Sequence, residues 1–531
     1  MTTRIIGIEG TAWAASAGVF EFDPDDLSGA DPPAVETDAY QPDSGGLHPR
    51  EAAEHMSEAI PTVIETALEN AEGPIDAVAF SRGPGLGPCL RIVGTAARAL
   101  AGTLAVPLVG VNHMLAHLEI GRHGSGFESP VCLNASGANA HLLGYHGGRY
   151  RVLGETMDTG VGNALDKFTR HVGWTHPGGP KVEEAAVDGE YVDLPYVVKG
   201  MDFSFSGLMS AAKDAYDDGT PVEDVCFSLQ VAVFAMLTEV SERALSLTGA
   251  DELVLGGGVG QNERLREMLA TMCEARGAAF YAPQARYLRD NAGMIAVLGG
   301  KMFAAGETMA IDESAIDPNF RPDEVPVTWE AGRSVSVGTV GDAEQQGAEA
   351  VVTVVDGHVV KRRVPKAYRH PDLDARLRRE RTVAEARLTG EARRHGVPTP
   401  VVYDVDVPEA TLTLSRVGDR DLGADPSPAR ARTVGKHLAT LHRTGIVHGD
   451  PTVRNVRVGT DRCFLIDFGL GYHSDHVEDH AMDCHVFGGS VRGTADDPEA
   501  VLSAFEAGYA DAADDETLSR LREIEDRGRY R

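Results

Sequence analysis

The segments HGDPTVRN (residues 448–455) and IDFGL (466–470) determine the fold expected for the C-terminal third of this 531-residue chain. They place a loop aspartate, an asparagine five residues later, and a second aspartate before Phe-Gly, at Asp450, Asn455 and Asp467. At this spacing the first aspartate accepts a hydroxyl proton, and the other two residues bind the metal ions of a nucleotide. Each residue alone is an ordinary turn residue, but the motif requires all three. The combination predicts a phosphoryl-transfer site.

The other parts of a kinase have candidates upstream. The segment QQGAEAVVTVVDG (345–357) predicts a turn followed by a Val-rich strand, and Lys361 ends a second strand. Helical spacing in RRERTVAEARL (378–388) lets Glu385 face Lys361 as its ion-pair partner. The loop has one glycine rather than three, and no APE motif follows the DFG. The pattern predicts a small, atypical protein kinase with an α+β fold.

Residues 343–531 resemble the small Rio-like kinase of the KEOPS complex. The resemblance rests on a series of segments, namely GAEA (347–350), KRRVPKAYRHPDLD (361–374), RTVAEARL (381–388), HGD (448–450), DFG (467–469) and HSDHVEDHAMD (473–483). It implies that ATP is bound with Mg²⁺ and that Asp450 is catalytic. The residues implied to bind the nucleotide are Gly347, Ala348, Glu349, Ala350, Lys361, Glu385, Asn455 and Asp467.

Three glycine loops mark the N-terminal region. They occur in RIIGIEGTAWAASAGVFEF (4–22), SRGPGLGPCLRIVGTAARALA (81–101) and ELVLGGGVGQNERLREML (252–269). The second and third follow a strand and open a helix, where free backbone N–H groups bind anions. The first resembles the start of actin- and hexokinase-like ATPases. Together the loops predict a nucleotide cleft between two α/β lobes.

A pair of histidines lies in VNHMLAHLEIGR (111–122), where a helix capped by Asn112 is expected. His113 and His117 then lie on one helix face, at the separation of two imidazole ligands of one metal ion. A zinc protease would need a glutamate directly after the first histidine, and Met114 stands there. Taken alone, the pair is either a metal site or two histidines without a metal.

Residues 1–323 resemble the KEOPS transferase subunit and its bacterial counterpart TsaD. The motifs appear in the family's order: VCLNASGANAHLLGY (131–145), GETMDTGVGNALDKFTR (154–170), HPGGPKVEE (176–184), FSFSGL (203–208), GGGVGQN (256–262) and RDNAGMIA (289–296). The whole chain is thus similar to the fused transferase–kinase of archaeal KEOPS. That family makes N6-threonylcarbamoyladenosine beside the anticodon of tRNAs that read codons beginning with A.

The resemblance implies the ligands of the N-terminal site. One divalent metal ion, iron or alternatively zinc, would be held by His113, His117 and Asp290. Threonylcarbamoyl-AMP, the substrate, would be bound by Asn134, Ala135, Ser136, Gly137, Ala138, Asp166, Gly179, Glu183 and Asn262. The family often has a tyrosine metal ligand where this chain has Asn134, so the fourth metal contact is open. The implied partners are tRNA, other KEOPS subunits and the enzyme that supplies threonylcarbamoyl-AMP.

The net charge is −31, from 80 acidic and 49 basic side chains. Such a surface repels nucleic acid unless basic residues cluster locally. The candidate RNA-facing patches are KRRVPKAYRH (361–370), ARLRRER (375–381) and RGRYR (527–531). Many aspartates and few lysines also indicate adaptation to a salt-rich cytoplasm, where screening is strong.

Cysteine spacing and hydropathy predict a cytoplasmic protein without a membrane partner. The six cysteines form no C-x-x-C pair, so neither a disulfide framework nor a zinc ribbon is indicated. Glu9 interrupts the only candidate signal core, and no uncharged apolar run reaches 18 residues.

We therefore expect a transferase domain over residues 1–323, a linker over 324–342 and a kinase domain over 343–531. The transferase domain is expected to have a two-lobed α/β fold of the actin/hexokinase type, and the kinase domain a small α+β fold. Two alternatives remain open. One is a serine/threonine protein kinase with a metabolite-binding regulatory domain, and the other is a metalloprotease, which Met114 disfavours.

Overall fold

The computed structural model describes residues 2–24, 26–27, 30–40, 48–330, 345–513 and 515–527. The first lobe is a five-stranded sheet in the order β3-β2-β1-β4-β5, in which β1 runs antiparallel to β2 and parallel to β4. Two helices cover one face, where Ile6 and Phe80 pack against Met56 and Val93. The elements are β1 (Thr3–Glu9), β2 (Ala14–Phe22), β3 (Glu36–Ala39), α1 (Pro49–Glu69), β4 (Ala77–Gly83), α2 (Gly87–Leu104) and β5 (Leu108–Asn112).

The second lobe has a sheet in the order β12-β11-β6-β7-β8, in which β6 and β11 are parallel. Their carboxyl ends meet, with Asn134 opposite Gly256. The elements of this lobe are α3 (His113–Ser125), β6 (Val131–Ala135), β7 (Ala140–His146), β8 (Arg149–Glu155), α4 (Val161–His171), α5 (Gly178–Ala185), β9 (Val198–Lys199), β10 (Asp202–Phe203), α6 (Ser206–Asp217), α7 (Val222–Thr248), β11 (Glu252–Gly256), α8 (Glu263–Arg276), β12 (Ala279–Tyr281), α9 (Ala285–Leu288) and α10 (Ala292–Ala304).

Helix α10 returns to the first sheet and packs directly on β1. The close approach depends on Gly7, where a Cβ would lie 2.6 Å from the backbone oxygen of Ala292. A side chain there would push the helix away from the strand. As a result Asp290, just before α10, and Glu9, at the end of β1, both come within ion-pair distance of His113.

Helix α7 is the one described helix that is long and apolar enough to cross a membrane. Of its most apolar 18-residue window, 89% is buried within the protein. Three charged residues, Glu239, Glu242 and Arg243, lie near its C-terminal end, and they face the C-terminal domain. Helix α7 thus lies at the interface between the two domains.

The C-terminal domain combines an antiparallel sheet, in the order β13-β14-β15-β17-β16, with a helical lobe. The predicted strands around Lys361 are present, and the predicted helix extends over 24 residues. The elements are β13 (Gln345–Gln346), β14 (Ala350–Val355), β15 (His358–Arg363), α11 (Pro371–Arg394), β16 (Val402–Asp406), β17 (Thr411–Ser415), β18 (Arg420–Asp421), α12 (Pro428–His442), β19 (Ile446–Val447), β20 (Val456–Val458), β21 (Cys463–Leu465), β22 (Tyr472–His473), α13 (Val477–Arg492), α14 (Pro498–Ala510) and α15 (Glu516–Arg527).

The start of the predicted linker packs on the N-terminal domain. Val325 and Val327 are buried in the core that also contains Tyr150, and the Val327 N–H donates to the Gly148 carbonyl at 2.9 Å. Residues 331–342 of the linker lie outside the described residues, as do residues 528–531 of the basic terminus.

Candidate metal centre and nucleotide site

The predicted metal ligands converge. Asn112 caps α3 by accepting from the N–H groups of Met114 and Leu115, at 3.0 and 3.1 Å, as the sequence predicted. The rings of His113 and His117 lie 4.9 Å apart between centroids. Their Nε2 atoms are 3.4 and 3.2 Å from Oδ1 of Asp290. The three ligand atoms all lie within 4.8 Å of one another.

A fourth residue of this centre, Glu9, was not predicted. Its Oε2 lies 3.1 Å from Nδ1 of His113, and its Oε1 accepts from the N–H and hydroxyl of Thr11 at 2.7 and 2.6 Å. Burial lowers the pKa of His113 because it disfavours the charged imidazole. The carboxylates of Glu9 and Asp290 together have the larger effect, and they raise this pKa to about 10. The sequence did contain a signal for Glu9, because a charged residue stands at the end of the buried strand β1, just before the Gly-Thr turn.

The donor set fits a divalent metal. Two imidazoles and one carboxylate suit zinc or iron, and the carboxylates that hold a proton on His113 would equally stabilise a cation. Several buried polar atoms nearby have no hydrogen-bond partner among the described residues, namely Nδ1 of His117, Oδ1 of Asn134 and both ring nitrogens of His141. Such atoms are costly unless they are paired, so the centre has room for further bonds to a ligand or to ordered water.

Gly256 connects the metal centre to the predicted adenylate loop. A Cβ on Gly256 would lie 3.4 Å from Cβ of His117 and 3.6 Å from Oδ1 of Asn134. After Ala135 the chain turns at Ser136, whose N–H donates to the Asn139 carbonyl at 2.8 Å.

This loop is docked on the start of α4. The carbonyl of Gly137 accepts from the Asn163 N–H at 2.9 Å, and that of Ala138 accepts from the Gly160 N–H at 3.1 Å. Apart from Gly137 and its two chain neighbours, no atom of the described residues lies within 4 Å of a Cβ placed on Gly137, so the outer side of the loop is open there.

The remaining predicted substrate residues lie on α4 (Asp166), on α5 (Gly179 and Glu183) and at the start of α8 (Asn262). Asp166 accepts from the Gly178 N–H at 2.7 Å, which fixes the loop before Gly179. Glu183 accepts weakly from the Glu263 N–H at 3.4 Å. Asn262 caps α8 by accepting from the Leu265 N–H at 3.1 Å. The first turn of α8 thus contacts both Glu183 of α5 and Asn262.

The predicted kinase residues form a second cluster. Nζ of Lys361 lies 2.9 Å from both carboxylate oxygens of Glu385 and 2.7 Å from Oδ1 of Asp467. Nδ2 of Asn455 donates to Oδ2 of Asp450 at 3.0 Å. Arg363, which was not predicted, adds a 2.5 Å contact to Glu385. This is the arrangement expected of residues that position phosphates and metal ions.

The predicted RNA-facing patches are wrong for five of their basic residues, whereas Arg362 and Arg379 of the same patches are exposed. Lys361, Arg363, Lys366, Arg369 and Arg381 are all at least nine-tenths buried and form ion pairs. Their partners are Glu385 within the domain and Glu239 and Glu242 on α7. A run of basic residues looked solvent-exposed in the sequence, but the acidic partners come from a distant helix.

The GAEA turn is tied to the same ion-pair network. Oε1 of Glu349 lies 2.5 Å from Arg381, 2.9 Å from Arg369 and 3.7 Å from Arg243. The Gly347 N–H donates to the Ala350 carbonyl at 2.9 Å. The turn predicted to cover phosphates therefore touches the N-terminal domain.

The predicted catalytic Asp450 also contacts the N-terminal domain. The pKa of Asp450 is raised to about 7, mainly by burial. The Arg243 guanidinium lowers this pKa, and the Asp467 carboxylate raises it further. The Gly200 N–H, on the turn between β9 and β10, donates to the Gly449 carbonyl at 2.8 Å. Two separate elements of the N-terminal domain thus reach the loop that carries Asp450.

The fold and the two clusters define a two-domain protein that joins an α/β domain with a histidine–aspartate metal centre to a smaller α+β domain with a lysine–glutamate–aspartate cluster. The model of the family "TsaD: tRNA N6-adenosine threonylcarbamoyltransferase" matches residues 34–297. Curated relatives named "Probable bifunctional tRNA threonylcarbamoyladenosine biosynthesis protein" match over nearly the full length. The protein of Halobacterium salinarum is 70% identical over 99% of this chain and 98% of its own, and that of Methanospirillum hungatei is 50% identical over 99% of each. The chain belongs to this family of bifunctional tRNA threonylcarbamoyladenosine biosynthesis proteins.

Its haloarchaeal relatives agree with the salt adaptation predicted from composition.

Proposed function

We propose that the N-terminal domain transfers the threonylcarbamoyl group from threonylcarbamoyl-AMP to N6 of the adenosine 3′-adjacent to the anticodon, in tRNAs that read codons beginning with A. The observation that carries this proposal is the closeness of His117 and Asn134 at Gly256, where a Cβ would lie 3.4 Å from Cβ of His117 and 3.6 Å from Oδ1 of Asn134. It sets a metal-ligand cluster beside an open glycine loop, so one bound molecule can touch both.

The reaction needs orientation more than a protein nucleophile. N6 of adenosine attacks the carbamoyl carbon, the new C–N bond forms, the C–O bond to phosphate breaks, AMP leaves, and the N6 proton passes to solvent. Correct orientation of two reactants supplies roughly 7–11 kcal/mol in favourable systems. A metal held by His113, His117 and Asp290, iron in the first instance and zinc in the second, would supply Lewis-acid polarisation of an oxygen.

The loops have distinct proposed roles in holding the adenylate. The turn from Asn134 to Ala138 offers backbone groups to the phosphate, because its outer side is open at Gly137. Asp166 and Glu183 bind the ribose hydroxyls or the threonyl end. Gly179 and Asn262 are assigned to the same space, because Glu183, on the helix α5 that also contains Gly179, accepts from the N–H of Glu263, directly after Asn262.

The C-terminal domain, over residues 343–531, is proposed to be an atypical serine/threonine kinase that hydrolyses ATP with Mg²⁺ in support of the transferase. Lys361 and Glu385 position the phosphates below the turn Gly347–Ala350, Asn455 and Asp467 hold Mg²⁺, and Asp450 accepts the proton of the attacking group. The contact of Arg243 with Asp450 supports coupling between the two domains.

The proposed setting is the cytoplasm, within a KEOPS assembly. The protein would receive threonylcarbamoyl-AMP from a separate enzyme and bind tRNA as its macromolecular substrate. The domain boundaries at residues 323 and 343 remain part of this proposal.

The direct test is a reaction of the purified full chain with threonylcarbamoyl-AMP and a tRNA transcript, followed by mass spectrometry of the nucleosides. We expect N6-threonylcarbamoyladenosine, and a tRNA whose target adenosine is replaced by guanosine should stay unmodified. Robust phosphorylation of a protein substrate without any tRNA product would favour the serine/threonine kinase with a metabolite-binding domain.

A further inference from the structure

A cavity of about 210 Å³ lies between the two domains, and its lining residues include none of the predicted metal ligands or kinase residues. The N-terminal domain lines it with β8 and the residues around Asp202, and the C-terminal domain lines it with α13. The volume is far above the roughly 15 Å³ that a single water needs. Neither domain alone encloses it, so a ligand there would contact both.

The cavity is lined by three arginines, and one of them forms no ion pair within 4 Å among the described residues. Arg321 pairs with Asp323 at 3.0 Å, and Arg492 contacts Glu525. Among the described residues, no carboxylate lies within ion-pair distance of Arg151, and its Nε is buried without a hydrogen-bond partner. Burial lowers the pKa of Arg151; the more distant carboxylate of Asp323 opposes this effect, and the nearby Arg149 and Arg492 add to it. A bound anion would relieve both effects.

Two further groups in the cavity are available as hydrogen-bonding partners. Nδ1 of His485 is buried and has no partner among the described residues. Burial raises the pKa of Asp202 to about 8 and that of Glu155 above its usual range. At neutral pH the Asp202 carboxyl is therefore mainly protonated, and it can donate a hydrogen bond rather than repel an anion.

Three residues of the cavity wall are shared with a smaller cavity that lies towards the metal centre. Val152, Glu155 and Arg321 line the larger cavity and also line this second, smaller cavity of about 20 Å³. That smaller cavity reaches Met114, which lies between the two predicted metal-ligating histidines in sequence, and also Asn139, directly after the predicted adenylate residues Asn134–Ala138. An RNA backbone with one end near the metal centre could thus run along the larger cavity.

We propose that the cavity between β8 and α13 binds a phosphate group through Arg151, with RNA backbone as the source that its position favours. The chemistry follows from charge-assisted hydrogen bonds between guanidinium and phosphate. In a chain of net charge −31, local basic groups are what allow a polyanion to approach. The RNA source rests on the proposed function, whereas phosphate binding does not, because free phosphate offers the same oxygens.

The test compares the full-length protein with Arg151→Ala, Arg151→Lys and Arg50→Ala. Arg50 is the matched control, because it is an exposed arginine on α1 that pairs with Glu54. Each protein is first checked by thermal melting and metal analysis. Affinity for tRNA is then measured across a KCl series in which all variants stay folded, and binding of inorganic phosphate is measured by calorimetry.

We expect Arg151→Ala to weaken tRNA binding roughly tenfold and to reduce the slope of log K against log salt by about 0.7–0.9. Arg151→Lys should restore most of the slope, and Arg50→Ala should match the wild type. Loss of inorganic phosphate binding by Arg151→Ala with unchanged tRNA binding would instead assign free phosphate as the source. The proposal would be overturned if a folded Arg151→Ala protein bound tRNA and inorganic phosphate as the wild type does. It would also be overturned if Arg50→Ala reduced the slope of log K against log salt as much as Arg151→Ala.

Failure of the proposed function gives a different result. In that case the wild type binds tRNA with the expected dependence on Arg151 but forms no modified nucleoside. Conversely, a wild type that forms the nucleoside while Arg151→Ala binds tRNA and phosphate normally would refute only the cavity.

Discussion

Arg243 on α7 donates a hydrogen bond to Asp450 across the domain boundary, with Nη1 2.8 Å from Oδ2. The same guanidinium contacts Glu239 at 3.0 Å and lies 3.7 Å from Glu349. One side chain of the N-terminal domain thus holds the predicted catalytic carboxylate and the predicted phosphate-covering turn together. Arg243 thus connects the predicted nucleotide site directly to helix α7.

Removal of Arg243 should change the pH dependence of ATP hydrolysis. Without the guanidinium, the carboxylate form of Asp450 loses a stabilising charge, so its pKa should rise above the present value of about 7. In Arg243→Ala the acid limb of the pH–rate profile should move up by at least about one unit. Arg264→Ala, which alters an arginine packed on Phe227, is the control. An unmoved acid limb in a folded Arg243→Ala protein would contradict the coupling.

The double variant His113→Ala, His117→Ala should lose its bound metal and its tRNA modification activity. Only one of the three converging ligands then remains, and a lone carboxylate binds zinc or iron weakly. ATP binding by the C-terminal domain should be nearly unchanged. The control is His123→Ala on the same helix, since His123 faces the Ala30 carbonyl instead. Metal analysis that found full occupancy in the double variant would refute the site.

Variants of the two predicted kinase aspartates should separate binding from turnover. Asp450→Asn should abolish ATP turnover but preserve ATP binding, whereas Asp467→Ala should also weaken binding of the Mg²⁺ complex. If turnover serves the transferase, both variants should slow multiple-turnover modification of tRNA. A wild-type modification rate in Asp450→Asn protein with no ATPase activity would mean that the two domains work independently.

The folded protein should lose stability at low ionic strength. Its net charge of −31 is screened over about 3 Å at 1 M salt but over about 30 Å at 0.01 M, so repulsion grows as salt is removed. The unfolding midpoint should fall between molar and millimolar KCl. A midpoint that stayed constant over that range would disprove the interpretation of the composition.

Asp202 should make stability depend on pH. Its pKa is about 8 in the folded protein because of burial, against about 3.9 when unfolded. The folded state therefore binds the proton more tightly, and stability falls as pH rises from about 4 through 8, by up to about 1.4 kcal/mol per unit for this group.

Asp202→Asn keeps an acceptor for the Glu155 N–H but does not titrate. Its unfolding free energy, measured by denaturant at pH 5 to 8, should decline less steeply than that of the wild type. Equal slopes for the two proteins would show that Asp202 titrates normally.

Much of the candidate sites could be predicted from the sequence. The cap at Asn112, the convergence of His113, His117 and Asp290, and the contacts of Lys361 with Glu385 and Asp467 were all expected. Short motifs suffice there, because helix periodicity and motif spacing fix which side chains share a face. Glu9 was missed because its partner His113 lies on a distant element.

The sequence by itself determined the two fold classes, the family and the local chemistry of each motif, because those depend on residue type and spacing along the chain. Only the tertiary structure decided which charges neutralise each other. Arg369 and Lys366 belong to a basic run that suggested an RNA surface, yet they are buried against Glu239 and Glu242 of α7. A buried charge must find its partner in space, and residues far apart in sequence meet only when the domains pack together.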